Sequence, residues 1–260
     1  RANANKLMNR LLTAAFETCA IQIASIDGGS LRNAIPRESV AIVIVPESKA
    51  TELEDLVNEK HSIFQAEYQT TDPQLVVSCK KSDSKARVLQ KGFQSKLLKS
   101  ISACVNGIYR MSPDILHLVQ TSNNLARVSV KEGEYSIQCL TRSSVDSEKI
   151  DLAESLKSAF ELMGAKVSFA GSYPGWTPNP HASIVQLMRN LYTKMYQSEP
   201  MVSACHAGLE CGILGTNYPG MEMISFGPNI TGAHSPDEKA QISSVQKYWQ
   251  LLLETLNQIP

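Results

Sequence analysis

The sequence predicts an α+β fold: helices packed as one layer on a mostly antiparallel sheet, followed by a second segment of different composition. Three observations carry this reading. Apolar residues at helical spacing and short β-rich runs alternate irregularly, without strict β-α-β order. A hairpin signal, Lys131-Glu132-Gly133-Glu134, joins two strand-like runs. The stretch 171–180 contains two Gly and three Pro, which reads as an interdomain crossing.

The first helix has Leu7, Leu11, Leu12, Ala15 and Phe16 on one face. Strands are expected at 20–26 and, after the Gly28-Gly29 turn, at 40–45, where Pro46 ends the run. A helix over 49–68 and a short buried strand at 75–79 come next. The spacing of Leu89, Phe93, Leu97, Ile101 and Val105 predicts a helix over 84–105. Strands at 126–130 and 135–140 flank the hairpin turn, and 116–120 is a further candidate. A helix over 148–163 ends at Gly164, and 166–170 reads as a closing strand. Beyond the crossing, the pattern gives a helix at 183–196, strands at 201–203 and 221–226, and a final helix. In that helix Ile242, Val245, Trp249, Leu252 and Leu256 share one side.

The chain has 260 residues with 25 basic and 25 acidic side chains, a net charge of zero. That balance argues against nucleic acid or an acidic membrane surface as the main partner. The lysines around 80–99 alternate with an apolar stripe and read as a solvated helix face. No apolar run reaches the roughly 18 residues that span a bilayer, and the first residues lack the zones of a signal peptide. Six scattered cysteines form no C-x-x-C pair and are read as reduced thiols, several of them buried. A cytoplasmic location follows from this reading.

The polar residues that stand out lie in loops, where a rigid scaffold holds ligands and catalysts. H-A-G-L-E-C-G (His206 to Gly212) and F-G-P-N-I-T-G-A-H-S-P-D-E (Phe226 to Glu238) interrupt an apolar part of the chain. His234 on an irregular loop suits a zinc ligand, although a lone loop His is more often a surface residue. Glu210 reads as a favourable acid in a first helical turn. Asn33 in L-R-N-A-I-P-R suits either a peptide amide or an ordinary turn. Arg142 carries a fork that matches a carboxylate, or forms a common salt bridge.

These motifs, together with Y-P-G-W (Tyr173 to Trp176), C-L-T-R-S-S-V-D-S, G-G-S-L-R-N-A-I-P-R and the opening A-N-A-N-K-L, resemble the aminoacyl-histidine dipeptidases, a branch of the di-zinc peptidase family. The resemblance runs nearly end to end. It implies a ferredoxin-like lid (dimerisation) domain over 1–171, with helices on one face of the sheet. Residues 172–260 would be the C-terminal part of an α/β zinc-peptidase catalytic domain. It also implies zinc-dependent hydrolysis of Xaa-His dipeptides such as carnosine, two zinc ions per site and a homodimer formed through the lid. Under it, His234 is a metal ligand, and Asn33, Arg142 and Gly208 bind substrate. His206 and Glu210 border the pocket; Asp237 or Glu238 orients His234 or caps the final helix.

The family's H-x-D motif and adjacent Glu-Glu pair are absent from these 260 residues. The chain therefore reads as a C-terminal fragment, inactive alone, without the general base. Two alternatives remain open: another di-zinc amidohydrolase (aminoacylase or desuccinylase type), and a non-catalytic dimerisation module.

Overall fold

The computed structural model describes residues 1–82, 87–113, 115–204, 210–232 and 237–259. The chain forms two compact units. One comprises 1–143 with 147–170; the other comprises 144–146 with 171–260.

The first unit opens with α1 (Ala4–Thr18), capped by the Asn3 side chain, which accepts from the Lys6 amide at 3.2 Å. Its buried face carries asparagines beside the leucines. Asn3 Nδ2 donates to Leu125 O (3.1 Å), Asn5 Nδ2 to Gly28 O (3.3 Å) and Asn9 Nδ2 to Leu98 O (3.1 Å). The opening A-N-A-N-K-L is thus a polar seam that fastens the helix to its neighbours while Leu7, Leu11 and Leu12 fill the core.

β1 (Gln22–Gly28) pairs antiparallel with β2 (Ser39–Ile44). A 3-10 turn at Glu47–Lys49 leads into α2 (Ala50–Tyr68), which packs against α1. α3 (Lys91–Ala103) is followed by β3 (Gly107–Met111), then the long β4 (Val119–Lys131) and β5 (Glu134–Ser143). β5 pairs with β4 from Thr121 to Lys131; β1 and β3 share the other edge of β4, at its two ends. Glu132 and Gly133 both take positive φ (54° and 88°), a two-residue turn whose twist matches the strands it joins.

α4 (Asp146–Glu161) ends as Gly164 adopts φ 94°. Gly164 N donates to Glu161 O and Ala165 N to Phe160 O, the paired bonds of a glycine-terminated helix. Leu152, Leu156 and Phe160 of α4, Leu97, Leu98 and Ile101 of α3, and Leu12 and Ala15 of α1 share one core with Ile23, Ile26, Leu125, Val128 and Val130 of the sheet. The α+β architecture, helices on one face of an antiparallel sheet, is the one the sequence predicts.

In the second unit α5 (Ser183–Tyr196) and α7 (Ile242–Gln258) pack through Met188, Leu191 and Leu251. Between them come α6 (Glu210–Asn217) and the short antiparallel pair β6 (Ile230–Thr231) and β7 (Lys239–Ala240). The Glu222 carboxylate accepts from the amides of Ser183 and Ile184 and from the Ser183 hydroxyl, so it caps α5 from outside the helix. These bonds hold Glu222 below the usual carboxylate range.

Several expected elements differ. The helix expected at 84–105 occupies 91–103, because the Leu89 amide donates to Ile23 O (2.8 Å) and stays extended. β3 is an element that the pattern missed, and β4 begins at Val119, well ahead of 126. Residues 75–79, 166–170, 201–203 and 221–226 form no strand ladder among the described residues. At 75–79, the Val77 amide bonds the His61 ring instead, and Val76 is exposed. On α7, Ile242, Trp249 and Leu256 are exposed; the packed stripe is the one through Lys247, Leu251 and Thr255. Gln241 stands at the N-cap of α7, so neither Asp237 nor Glu238 holds that position.

The start of α4 yields a pH prediction. Glu148 accepts from Gln120 Nε2 (2.8 Å) and Thr121 Oγ1 (2.7 Å) and pairs with Arg110 (2.6 Å). The Gln120 bond above all, with Thr121 and Arg110, lowers its pKa. A depressed carboxylate stabilises the fold above its unfolded pKa of about 4.3, and that stability is lost as pH falls through the folded value. Glu148→Gln is expected to cost about 1 kcal/mol at pH 7 and progressively less below about pH 4.5. Thermal melts of both proteins between about pH 2 and 7 check this; a gap of constant size would rule the ion out as its source.

Candidate functional site

The two faces of β4 divide its side chains. Thr121, Asn123, Leu125, Val128 and Val130 point to the helices. Ser122, Asn124, Arg127 and Ser129 point to the opposite, open face. A register shift between Leu125 and Arg127 keeps both series in phase, with Ala126 as the extra residue.

The 29–36 loop lies over that open face and is pinned there. Asn124 Nδ2 donates to Arg32 O (3.1 Å) and Ala34 O (2.7 Å), the carbonyls on either side of Asn33. Arg127 donates to Gly29 O (2.7 Å) and pairs with Asp27. Gly29 has φ +76°, and a Cβ there would sit 1.9 Å from Ala126 O, so only glycine lets the chain cross so close to β4. Asn33 itself is exposed, within the turn closed by the Ala34 amide on Leu31 O. The turn reading of Asn33 is right about its backbone, and its side chain is left presented to solvent.

Arg142 emerges on the same face. It is paired with Ser122 across the sheet, while Leu140, two residues back, is paired with Asn124. One two-residue step along a strand is about 7 Å. The sheet thus brings Arg142 close to the point where the Asn33 loop is pinned, although 109 positions separate the two residues in the sequence. Arg142 is half-buried, and its Nε is buried with no hydrogen-bond partner. A guanidinium nitrogen left in that state has unused donor capacity of the kind a carboxylate satisfies. Asn124 and Arg127, which hold the loop, were not singled out from the sequence. Their signal was the polar alternation of S-N-N-L-A-R inside a strand.

The C-terminal candidates are less connected. Glu210 is the first residue of α6 and exposed, as the first-turn reading expects. Asp237 and Glu238 are exposed just before β7. His206, Gly208 and His234 lie outside the described residues. Within the second unit, an open cleft of about 450 Å³ is lined by Trp176, Thr177, Asn179, Gly212 and Thr216, among others. Gly212 is held tightly, since a Cβ there would meet Pro174 O at 2.4 Å. Among the described residues no three His, Cys, Asp or Glu side chains are grouped to hold a metal.

Comparison with known proteins gives this geometry a context. Residues 1–72 match the family model of the peptidase dimerisation domain. The chain is 38% identical over 259 residues to the cytosol non-specific dipeptidase of Escherichia coli K12, across 99% of this chain and 53% of that protein. The crystal structure of aminoacylhistidine dipeptidase from Vibrio alginolyticus superposes with a TM-score of 0.90 at 36% identity, covering 100% of this chain and 53% of that one. The chain is similar to these two dipeptidases. It spans about half the length of these relatives. The dimerisation-domain match covers α1, β1, the Asn33 loop, β2 and α2. No helix of the described residues is long and apolar enough to cross a membrane.

Proposed function

We propose that the protein is a zinc-dependent dipeptidase acting on Xaa-His dipeptides such as carnosine. In this reading, residues 1–171 serve as lid and dimerisation domain, and 172–260 form the C-terminal part of a catalytic domain. The observation that carries it is the half-buried Arg142, its Nε unpartnered, on the open sheet face beside the pinned Asn33 loop. A dipeptide differs from a longer chain in having its terminal carboxylate next to the scissile bond. A fixed guanidinium at one end of the site selects for that carboxylate. Asn33 offers a donor and an acceptor for the peptide amide. Gly208 is assigned to substrate, and His206 and Glu210 to the pocket border. The likeness to an aminoacylhistidine dipeptidase supports the substrate class, and the dimerisation-domain match supports a homodimer. The cytosolic relative supports a cytoplasmic location.

For zinc, His234 is assigned as one ligand, with Asp237 or Glu238 orienting its ring. The described residues do not form a donor set for a metal, so no chemical step is derived through it. When bound, zinc supplies hydroxide near neutral pH. The remaining ligands and the general-base glutamate are assigned to a segment other than these 260 residues, which have no H-x-D and no adjacent Glu pair.

The test is hydrolysis of Xaa-His dipeptides with zinc and after chelation. It compares the 260-residue chain with a longer form that carries the two missing motifs. Zinc-dependent activity in the longer form alone is expected. Activity in both would overturn the assignment of ligands, and activity that survives chelation would overturn the metal.

A further inference from the structure

We propose that Cys104 and Cys139 are a peroxide-sensitive thiol pair that closes to an intramolecular disulfide, fastening the end of α3 to β5. From the sequence the six cysteines read as scattered reduced thiols, 35 positions separating these two. The fold brings their sulfurs to 3.8 Å. Cys104 is the residue on which α3 ends, and Cys139 sits on the helix-facing side of β5, opposite Leu125 of β4. A disulfide needs about 2.0 Å between sulfurs. The atoms are already in contact, and the remaining closure is under ~2 Å.

The surroundings favour a thiol pair over a metal site or plain packing. Lys6 Nζ donates to Ile101 O (2.8 Å), Ser102 O (3.0 Å) and Cys104 O (2.9 Å), so a cation caps α3 beside the sulfurs. That ammonium opposes a second cation and favours a thiolate. Asn123 spans the same gap: its amide donates to Val105 O (2.7 Å) and approaches Cys104 Sγ (3.8 Å), and its carbonyl accepts from Thr141 Oγ1 (3.1 Å). Both chain segments are therefore held in register while the sulfurs meet. The thiol–thiol hydrogen bond from Cys104, with Asn123 and the Lys6 charge, holds Cys139 below the usual thiol range; the same bond, with burial, pushes Cys104 up. Cys139 is also the more accessible of the two; Cys104 is fully buried.

The chemistry balances with a hydroperoxide as oxidant. The Cys139 thiolate attacks the peroxide oxygen, the O–O bond breaks and, with one proton, water leaves, giving a sulfenic acid. The Cys104 sulfur then attacks the sulfenyl sulfur, its proton leaves with the hydroxyl as a second water, and the S–S bond forms. Two thiols lose two electrons, and hydrogen peroxide is reduced to two waters.

The experiment is graded treatment of the purified protein with hydrogen peroxide, followed by thiol counting and tryptic mapping without reduction. Expected are loss of two thiols, a mass lower by about 2 Da, and a cross-link between the peptides 100–110 and 132–142. The closed loop should raise Tm by roughly 5–10 °C, reversibly with dithiothreitol. Cys104→Ser should leave Cys139 as a sulfenic acid trapped by a dione probe; Cys139→Ser should give no cross-link, which keeps the test intact if the first variant folds poorly. A cross-link between other cysteines, or oxidation of exposed Cys79 while 104 and 139 stay reduced, overturns the proposal.

Discussion

Replacing Arg142 with alanine is expected to lower kcat/KM for Xaa-His dipeptides by about 10- to 100-fold, the worth of a charge-assisted bond at roughly 1.5–3 kcal/mol. The same substitution should leave hydrolysis of the C-terminally amidated dipeptides nearly unchanged, because they carry no carboxylate for the guanidinium to hold. Arg142→Lys should restore only part of the loss, since an ammonium keeps the charge without the fork. The stability of the fold should change little. The Nε of Arg142 has no protein partner to lose, and its Cβ stays on the open sheet face. Assays of the two substrate series in an active, longer form of the protein decide the matter. Equal losses on both would mean that Arg142 supports the sheet and does not bind the substrate carboxylate.

The largest effect on stability is expected at Gln94. This side chain on α3 is fully buried; its Oε1 accepts from Ile23 N (2.8 Å) and its Nε2 donates to Ile21 O (3.0 Å). The reason lies in the sheet. β4 pairs with β1 only at Ile26, Asp27 and Gly28, and upstream of them the backbone of β1 is met by Gln94 and by the Leu89 amide. Gln94→Leu keeps the volume but strands one buried N–H and one buried C=O, at about 1–3 kcal/mol each. A total loss of about 2–5 kcal/mol follows, which for a chain this long lowers Tm by roughly 5–15 °C. Urea unfolding or calorimetry measures it. A loss below about 1 kcal/mol would mean that water or a backbone shift takes over both bonds.

Gln94 also shows why only part of this fold was legible beforehand. The helix around it was visible from Phe93, Leu97 and Ile101 at four-residue spacing, and its core face is the predicted one. Leu89 continues the same spacing, yet it lies outside the helix because its amide is used by β1. Periodicity describes which residues are apolar; it does not say which backbone groups a distant strand will claim. β3 was missed for a related reason. Gly107-Ile-Tyr-Arg-Met lies on an edge, exposed along its length, and shows no burial alternation to read.

The candidate site divides in the same way. Residue type alone left Asn33 as a turn residue and Arg142 as a common ion-pair partner; the resemblance singled them out, and nothing in the spacing joined them. The sequence by itself determined the helical layer and the glycine stops at Gly133 and Gly164. Those properties are set by near neighbours, through side-chain periodicity and through φ values that glycine takes without strain. Only the tertiary structure decided that β4 carries two different faces, that Asn124 pins the Asn33 loop beside Arg142, and that two scattered cysteines touch. These arrangements join residues far apart in the sequence, and a shift of one residue in the register of β4 and β5 would turn the side chains of those strands to the opposite face.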